Sequence, residues 1–305
     1  MLRPKRTMMA VAILCAATLG MVGLAEAQVG PTAQGNTAGG GMYPYLGTAR
    51  AVGMGNAFTA IADDNGALIW NPAGLVQVGG GRAQIDAEVN QDDMGYFTAS
   101  YLFRKKEEQL KEAVLFTRAS LDNLVGGDNR DDTILQYSIA QQFDRQTSFG
   151  ASLKFHSVDL GDLSDEAFSF DLGVLYEVDL KQPPTEEGFT PSLKLGLAVL
   201  DVNEPTFDRI GLQKRTVNLG AAYRLDPGTI VGLEVYDIGD HANRSEIRLG
   251  GERLITDRIT LRAGVADSDF SIGLGINYRS FNVEFGFRRV EDGPDLNMLS
   301  INGEF

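Results

Sequence analysis

The chain holds one cysteine, one tryptophan and two histidines in 305 residues. Cys15 lies in an apolar run from Met8 to Leu24, after Arg3, Lys5 and Arg6 and before Ala25-Glu26-Ala27. A basic start, an apolar stretch and an A-x-A site mark a secretory signal peptide, so residues 1–27 read as a removed leader. Leu14 is too large for the lipoprotein cleavage site that Cys15 would otherwise suggest. The remaining chain has no thiol and therefore no disulfide framework for an oxidising compartment. Basic charge is also short: 27 Lys and Arg stand against 41 Asp and Glu, a net charge of −14. Such a chain repels phosphate backbones, which excludes nucleic acid as a partner. After the leader there is no run of eighteen apolar residues, so no transmembrane helix is expected. Catalytic chemistry is equally thin. His156 and His241 stand on different segments with no Ser–His pairing evident from spacing. The acidic run from Asp128 to Asp132 lacks the spacing of a calcium loop and reads as a solvated loop. Gly53-x-Gly55 has no preceding strand and no third glycine, so it is no dinucleotide site. Neither an enzyme, a metal nor a cofactor is expected.

What the chain has is alternation. Residues 28–46 form a flexible Gly-rich lead, 47–80 a segment crowded with Gly and Ala, and 81–305 a series of period-two segments. Fourteen are expected: 82–90, 95–103, 112–120, 133–143, 147–156, 167–178, 191–201, 215–225, 229–236, 245–254, 258–266, 269–279, 281–289 and 297–305. Each is about ten residues, enough to cross a bilayer as a tilted strand. Connections after the fourth, eighth, tenth and twelfth are tight; those after the third, fifth, seventh, ninth and thirteenth are longer and polar. Two connections, "RKKEEQLKE" and "LKQPPTEEGFT", are long on the short-turn side, and "ADSD" is short on the other.

A soluble sandwich shows the same alternation, but three features favour a membrane barrel. Glycines recur on the polar face: Gly150, Gly173, Gly196, Gly220, Gly232, Gly250, Gly264, Gly273, Gly275 and Gly286. Glycine weakens a strand unless something must approach closely, so a ring of them would make room for a body inside a closed barrel. Aromatics recur near the expected strand ends, at Tyr101, Phe103, Phe143, Phe155, Tyr176, Tyr223 and Tyr278, as interfacial girdles do. The chain also ends on a strand whose last residue is Phe305, with Leu299 and Ile301 in phase. That is what a signal to the barrel assembly machinery looks like, apart from Gly303, where an apolar residue is usual.

The segment "GTARAVGMGNAFTAIADDNGALIWNPAGL", from Gly47 to Leu75, resembles the N-terminal segment of the FadL-type long-chain fatty-acid transporters and of their PorV/PorQ relatives. The matching positions are Gly47, Ala49, Arg50, Ala51, Gly53, Gly55, Ala57, Ala62, Asp63, Asp64, Asn71, Pro72, Ala73, Gly74 and Leu75. The resemblance implies a fourteen-stranded antiparallel transmembrane β-barrel with this segment as a hatch in its lumen. It further implies the outer membrane of a Gram-negative-type bacterium, with membrane lipid around the wall. Read alone, Asp63, Asp64 and Pro72 are turn residues that direct the chain before the first strand.

The resemblance leaves three functions open. One is hatch-gated passage of hydrophobic small molecules, the second a PorV-like role in type IX protein secretion with secreted proteins as partners, the third a structural barrel without transport. Transport is ranked first. Lys154, Lys194, Arg224, Arg262, Arg279 and Arg288 are the candidates to face the lumen and meet a carboxylate. Asp86, Glu88, Asp171, Glu177, Glu234 and Glu284 are present on the same face, which favours mutual pairing for most of them.

Overall fold

The computed structural model describes residues 47–89, 94–103, 110–122, 129–180, 188–207, 210–239, 241, 245–290 and 295–305. The leader, the Gly-rich lead and Asp128 lie outside the described residues.

Alternation becomes a wall. The strands are β1 (Arg82–Glu88), β2 (Met94–Leu102), β3 (Leu110–Leu121), β4 (Arg130–Gln142), β5 (Thr147–Leu160), β6 (Leu163–Val178) and β7 (Ser192–Leu200). A small hairpin follows, β8 (Thr206–Phe207) and β9 (Gly211–Leu212). Then come β10 (Thr216–Asp226), β11 (Thr229–Tyr236), β12 (Glu246–Thr256), β13 (Ile259–Ala266), β14 (Asp269–Tyr278), β15 (Phe281–Arg289) and β16 (Leu296–Glu304). All but β8 and β9 join in sequence order into one closed antiparallel barrel of fourteen strands, and β1 pairs with β16 to complete it. Closure leaves no unpaired sheet edge, the condition for a sheet to span a membrane.

The two faces differ as lipid and interior demand. Ile85, Leu135, Leu153, Leu172, Leu219, Leu233, Leu249, Leu261, Leu274 and Phe285 are exposed on the outer face. Their neighbours on the inner face, among them Asp86, Gln136, Asp171, Gly250, Arg262 and Glu284, are buried. Among the described residues no helix is long and apolar enough to cross a membrane.

Several boundaries differ from the sequence expectation. Residues 157–166, expected as a polar loop, extend β5 and β6 into a hairpin that turns at Gly161 and Asp162. Phe155 therefore sits inside β5 against Phe168, with ring centroids 5.2 Å apart, and does not belong to an end girdle. Arg130, Asp131 and Asp132, expected as solvated loop, open β4, where Arg130 Nε donates to Asp132 at 2.9 Å. Tyr101, Phe103, Phe143 and Tyr278 do lie exposed at the tight-turn end, joined there by Phe281 and Phe305.

Candidate functional site

The segment Gly47–Val78 is built from short pieces. Helix α1 (Ala49–Gly53) is capped by Thr48, whose Oγ1 accepts from Ala51 N. Helix α2 (Ala67–Trp70) follows the turn in which Asp64 Oδ1 accepts from Gly66 N at 2.7 Å. Asn71 Oδ1 accepts from Ala73 N and starts a 3-10 turn, Pro72–Gln77, whose first residue has the fixed φ that such a start favours. Such Asx-type bonds satisfy the chain locally, so a segment with little regular structure still holds one shape.

Its backbone runs along the wall. A Cβ on nine of the wall glycines would meet it: Gly286 at Ala49, Gly273 at Gly53, Gly264 and Gly250 at Met54, Gly232 at Ala57 and Gly220 at Ala60. Gly196 faces Thr59 and Ala60, Gly173 faces Asn71, and Gly150 faces Pro72 and Ala73. These are nine strands consecutive around the barrel, β15 back to β5. Gly275 differs: its neighbour is the Arg262 guanidinium. Smallness is reciprocal. A Cβ on Gly53 would stand 2.8 Å from Gly273 Cα, and one on Gly55 2.8 Å from Val265 N. Gly55 also has φ +61°, which glycine adopts without strain. Gly74 faces Ala62 within the segment, and Gly47 faces the Trp70 ring.

Specific bonds complete the fit. Glu234 Oε2 accepts from the amides of Phe58 (2.9 Å) and Thr59 (2.7 Å), and Ser300 Oγ accepts from Ala49 N at 2.8 Å. Asn71 Nδ2 donates to Thr59 O and to Val174 O, and Gln136 Nε2 donates to Leu68 O. Apolar contact fills the side toward β2, β3 and β4. There Leu68, Leu75 and Val78 cluster with Leu102, Ala113, Leu115 and Ala140.

The sequence candidates for a carboxylate ligand are, with one exception, engaged on the inner face. Lys154 Nζ lies 2.7 Å from Asp171 and 2.5 Å from Asp201. Lys194 Nζ donates to Gln77 Oε1. Arg224 binds Asp63 at 2.8 Å, Arg262 binds Glu252 at 2.6 Å and Glu284 at 2.8 Å, and Arg288 binds Asp269 at 2.7 Å. Arg279 is the exception and corrects the expectation. It occupies the β14–β15 turn at φ +56°, exposed, with its guanidinium over the Tyr278 ring. Phe305 is also exposed and rests edge-on against Phe281.

Sequence reasoning missed Arg248 and Glu252, although both lie in phase with inward Gly250. Arg248 is fully buried, 3.7 Å from the Tyr236 ring centroid and 5.6 Å from that of Trp70, with Glu234 and Glu246 as ionic partners. It also missed a pairing of His156 with Ser169, at 2.7 Å across the β5–β6 ladder. The Ser169 hydroxyl donates to Asp201 Oδ1, so it gives the histidine no proton to take, and it is fully buried. A nucleophile needs the reverse bond and access to substrate. Burial alone would raise the Asp201 carboxyl; the Lys154 ammonium and His156 outweigh it and hold it below the usual carboxylate range.

No family model and no curated protein matches the chain. Solved structures do. The toluene transporter TbuX of Ralstonia pickettii superposes with TM-score 0.60 at 11% identity, over 87% of this chain and 99% of its own. A FadL homologue of Pseudomonas aeruginosa gives 0.55 at 12%, over 85% and 98%, and the Pseudomonas putida toluene transporter TodX 0.55 at 13%, over 83% and 95%. At such identity the likeness is one of fold: the chain is a closed β-barrel with the fold of the FadL-type transporters.

Proposed function

We propose that this protein is an outer-membrane barrel for hydrophobic small molecules, with Gly47–Val78 as a hatch that closes its lumen. One observation carries the reading: a buried small-residue segment follows the inward glycines of nine consecutive strands of a closed wall. Side chains alone would fill a small barrel. Here the wall gives up side chains so that a separate piece of backbone can fit against it. The fold likeness to two toluene transporters supports an apolar solute. So does the apolar cluster between hatch and wall, because an apolar solute can replace those contacts without stranding a polar group. The paired inner cations argue against a dedicated carboxylate site. A secretion-associated role needs a docking surface above the membrane, and the described connections opposite the tight turns offer two narrow hairpins, the β5–β6 extension and β8–β9.

The test is removal of residues 28–76. Ladder bonds and lipid burial do not depend on the hatch, so the barrel still inserts. In planar bilayers the shortened form conducts ions far better than the intact protein, which stays nearly closed while proteoliposomes containing it take up toluene. Equal conductance of the two forms would remove both the hatch and the transport reading.

A further inference from the structure

The hatch touches the wall mostly through backbone and apolar surface, but at one place among the described residues it is tied by ion pairs. Arg50 Nη1 lies 2.6 Å from Asp63 and 2.8 Å from Asp64, both in the hatch, while its Nε and Nη2 meet Glu252 of β12 at 2.8 and 3.0 Å. The same guanidinium lies 5.3 Å from the Phe58 ring centroid. Asp63 also binds Arg224 of β10, and Glu252 also binds Arg262 of β13, which reaches on to Glu284 of β15. Three guanidinia and four carboxylates thus form one chain of pairs from hatch to four strands. The wall members stand in the tight-turn halves of their strands, two to four residues from the ends. Side-chain exposures of 11% for Arg50, 18% for Asp63, 14% for Glu252 and 29% for Arg224 mean that water reaches the cluster from that side without dissolving it.

Arg50 is the only member that holds hatch carboxylates and a wall carboxylate together. Without it Asp63, Asp64 and Glu252 face one another across the seam with like charge in a half-dry site, and the attraction becomes repulsion. The internal bonds that shape the hatch, Thr48 to Ala51, Asp64 to Gly66 and Asn71 to Ala73, involve no residue of this cluster except Asp64. We propose that Arg50 is the pin of an ionic clasp fixing the hatch to the tight-turn end of β10–β15. Release of this clasp, with the hatch still folded, is the step that opens the lumen. The proposal rests on the hatch reading above and names how that hatch is regulated.

The experiment compares planar-bilayer conductance of the full-length protein with Arg50→Gln, Arg50→Lys and the 28–76 deletion. Arg50→Gln raises open probability at least tenfold while the heat-modifiable band of the folded barrel is kept. Arg50→Lys falls between, because one ammonium cannot fork to three carboxylates. An oxidised tether, Ala49→Cys with Ser300→Cys, added to Arg50→Gln restores closure; Ala49 N already bonds Ser300 Oγ. Should Arg50→Gln fail to insert, Arg224→Gln, which breaks only the Asp63 arm, shows the same change at smaller size. If the deletion conducts and neither substitution does, the clasp is wrong and the hatch stands. If Arg50→Gln opens the barrel but the tether does not close it, release from the wall is wrong. If the deletion itself does not conduct, the hatch reading has failed first.

Discussion

Gly250 and Gly251 are neighbours with opposite duties. A Cβ on Gly250 would run into the Met54 carbonyl and Cβ, whereas one on Gly251, on the lipid side, would find its nearest atom at 3.9 Å. Gly250→Val is therefore expected to cost about 1–3 kcal/mol, as overpacking does, or to push the Gly47–Val78 segment aside. Gly251→Val should leave stability unchanged within about 0.5 kcal/mol, as ordinary surface substitutions do. Thermal unfolding in detergent, followed by the heat-modifiable band, separates the two, and equal shifts would refute close packing of the Gly47–Val78 segment against the wall. Gly250 was legible as an inward glycine because it alternates with Leu249. Its partner was not, since nothing in a period of two says which part of a distant segment lies opposite.

At the level of the strand, fourteen segments were legible because lipid and interior each impose one kind of side chain on alternate positions. The reading stopped early in β5 and β6 for the same reason. Across that ladder Phe155 pairs with Phe168, but Ser157 pairs with Glu166, so the outer face turns polar within two residues. Above the lipid both faces meet water, the hydrophobic signal fades, and only hydrogen bonding continues the strand. The last strand makes the complementary point. The Phe305 amide donates to Gly81 O at 2.8 Å, but its side chain is 65% exposed and lies edge-on against Phe281. Deleting Phe305 should reduce the amount inserted in cells while the inserted fraction melts within a few degrees of the parent. Unchanged insertion would show that the residue is no assembly signal.

Over the whole molecule, an even number of strands returns the chain to the face from which it started. The hydrogen bond from Phe305 to Gly81 puts that return at the β1–β16 seam, on the side of the tight turns after β4, β10, β12 and β14. A tag after Phe305 should therefore be shielded from protease in intact cells and be cut once the outer membrane is permeabilised. Cleavage in intact cells would invert the topology. The inner face shows why the molecule holds its charges without a soluble core. Lys154, Arg224, Arg248, Arg262 and Arg288 each reach a carboxylate, while buried Asp86 is held by the neutral donors Ser300, Thr98 and Gln84.

Periodicity, chain direction and residue size are local properties, and they were enough for the barrel, its strand number, its lipid belt and the presence of an unusual small-residue segment before β1. Pairing of side chains from far apart in the chain is not local. That Arg50 meets Glu252, 202 residues away, that Glu234 holds the amides of Phe58 and Thr59, and that Ser169 turns its proton to Asp201 all depend on barrel closure and register. Closure brings β12 round to the Gly47–Val78 segment, and the β6–β7 pairing sets Asp201 beside Ser169. A shift of one residue in either ladder would turn these charges out toward lipid.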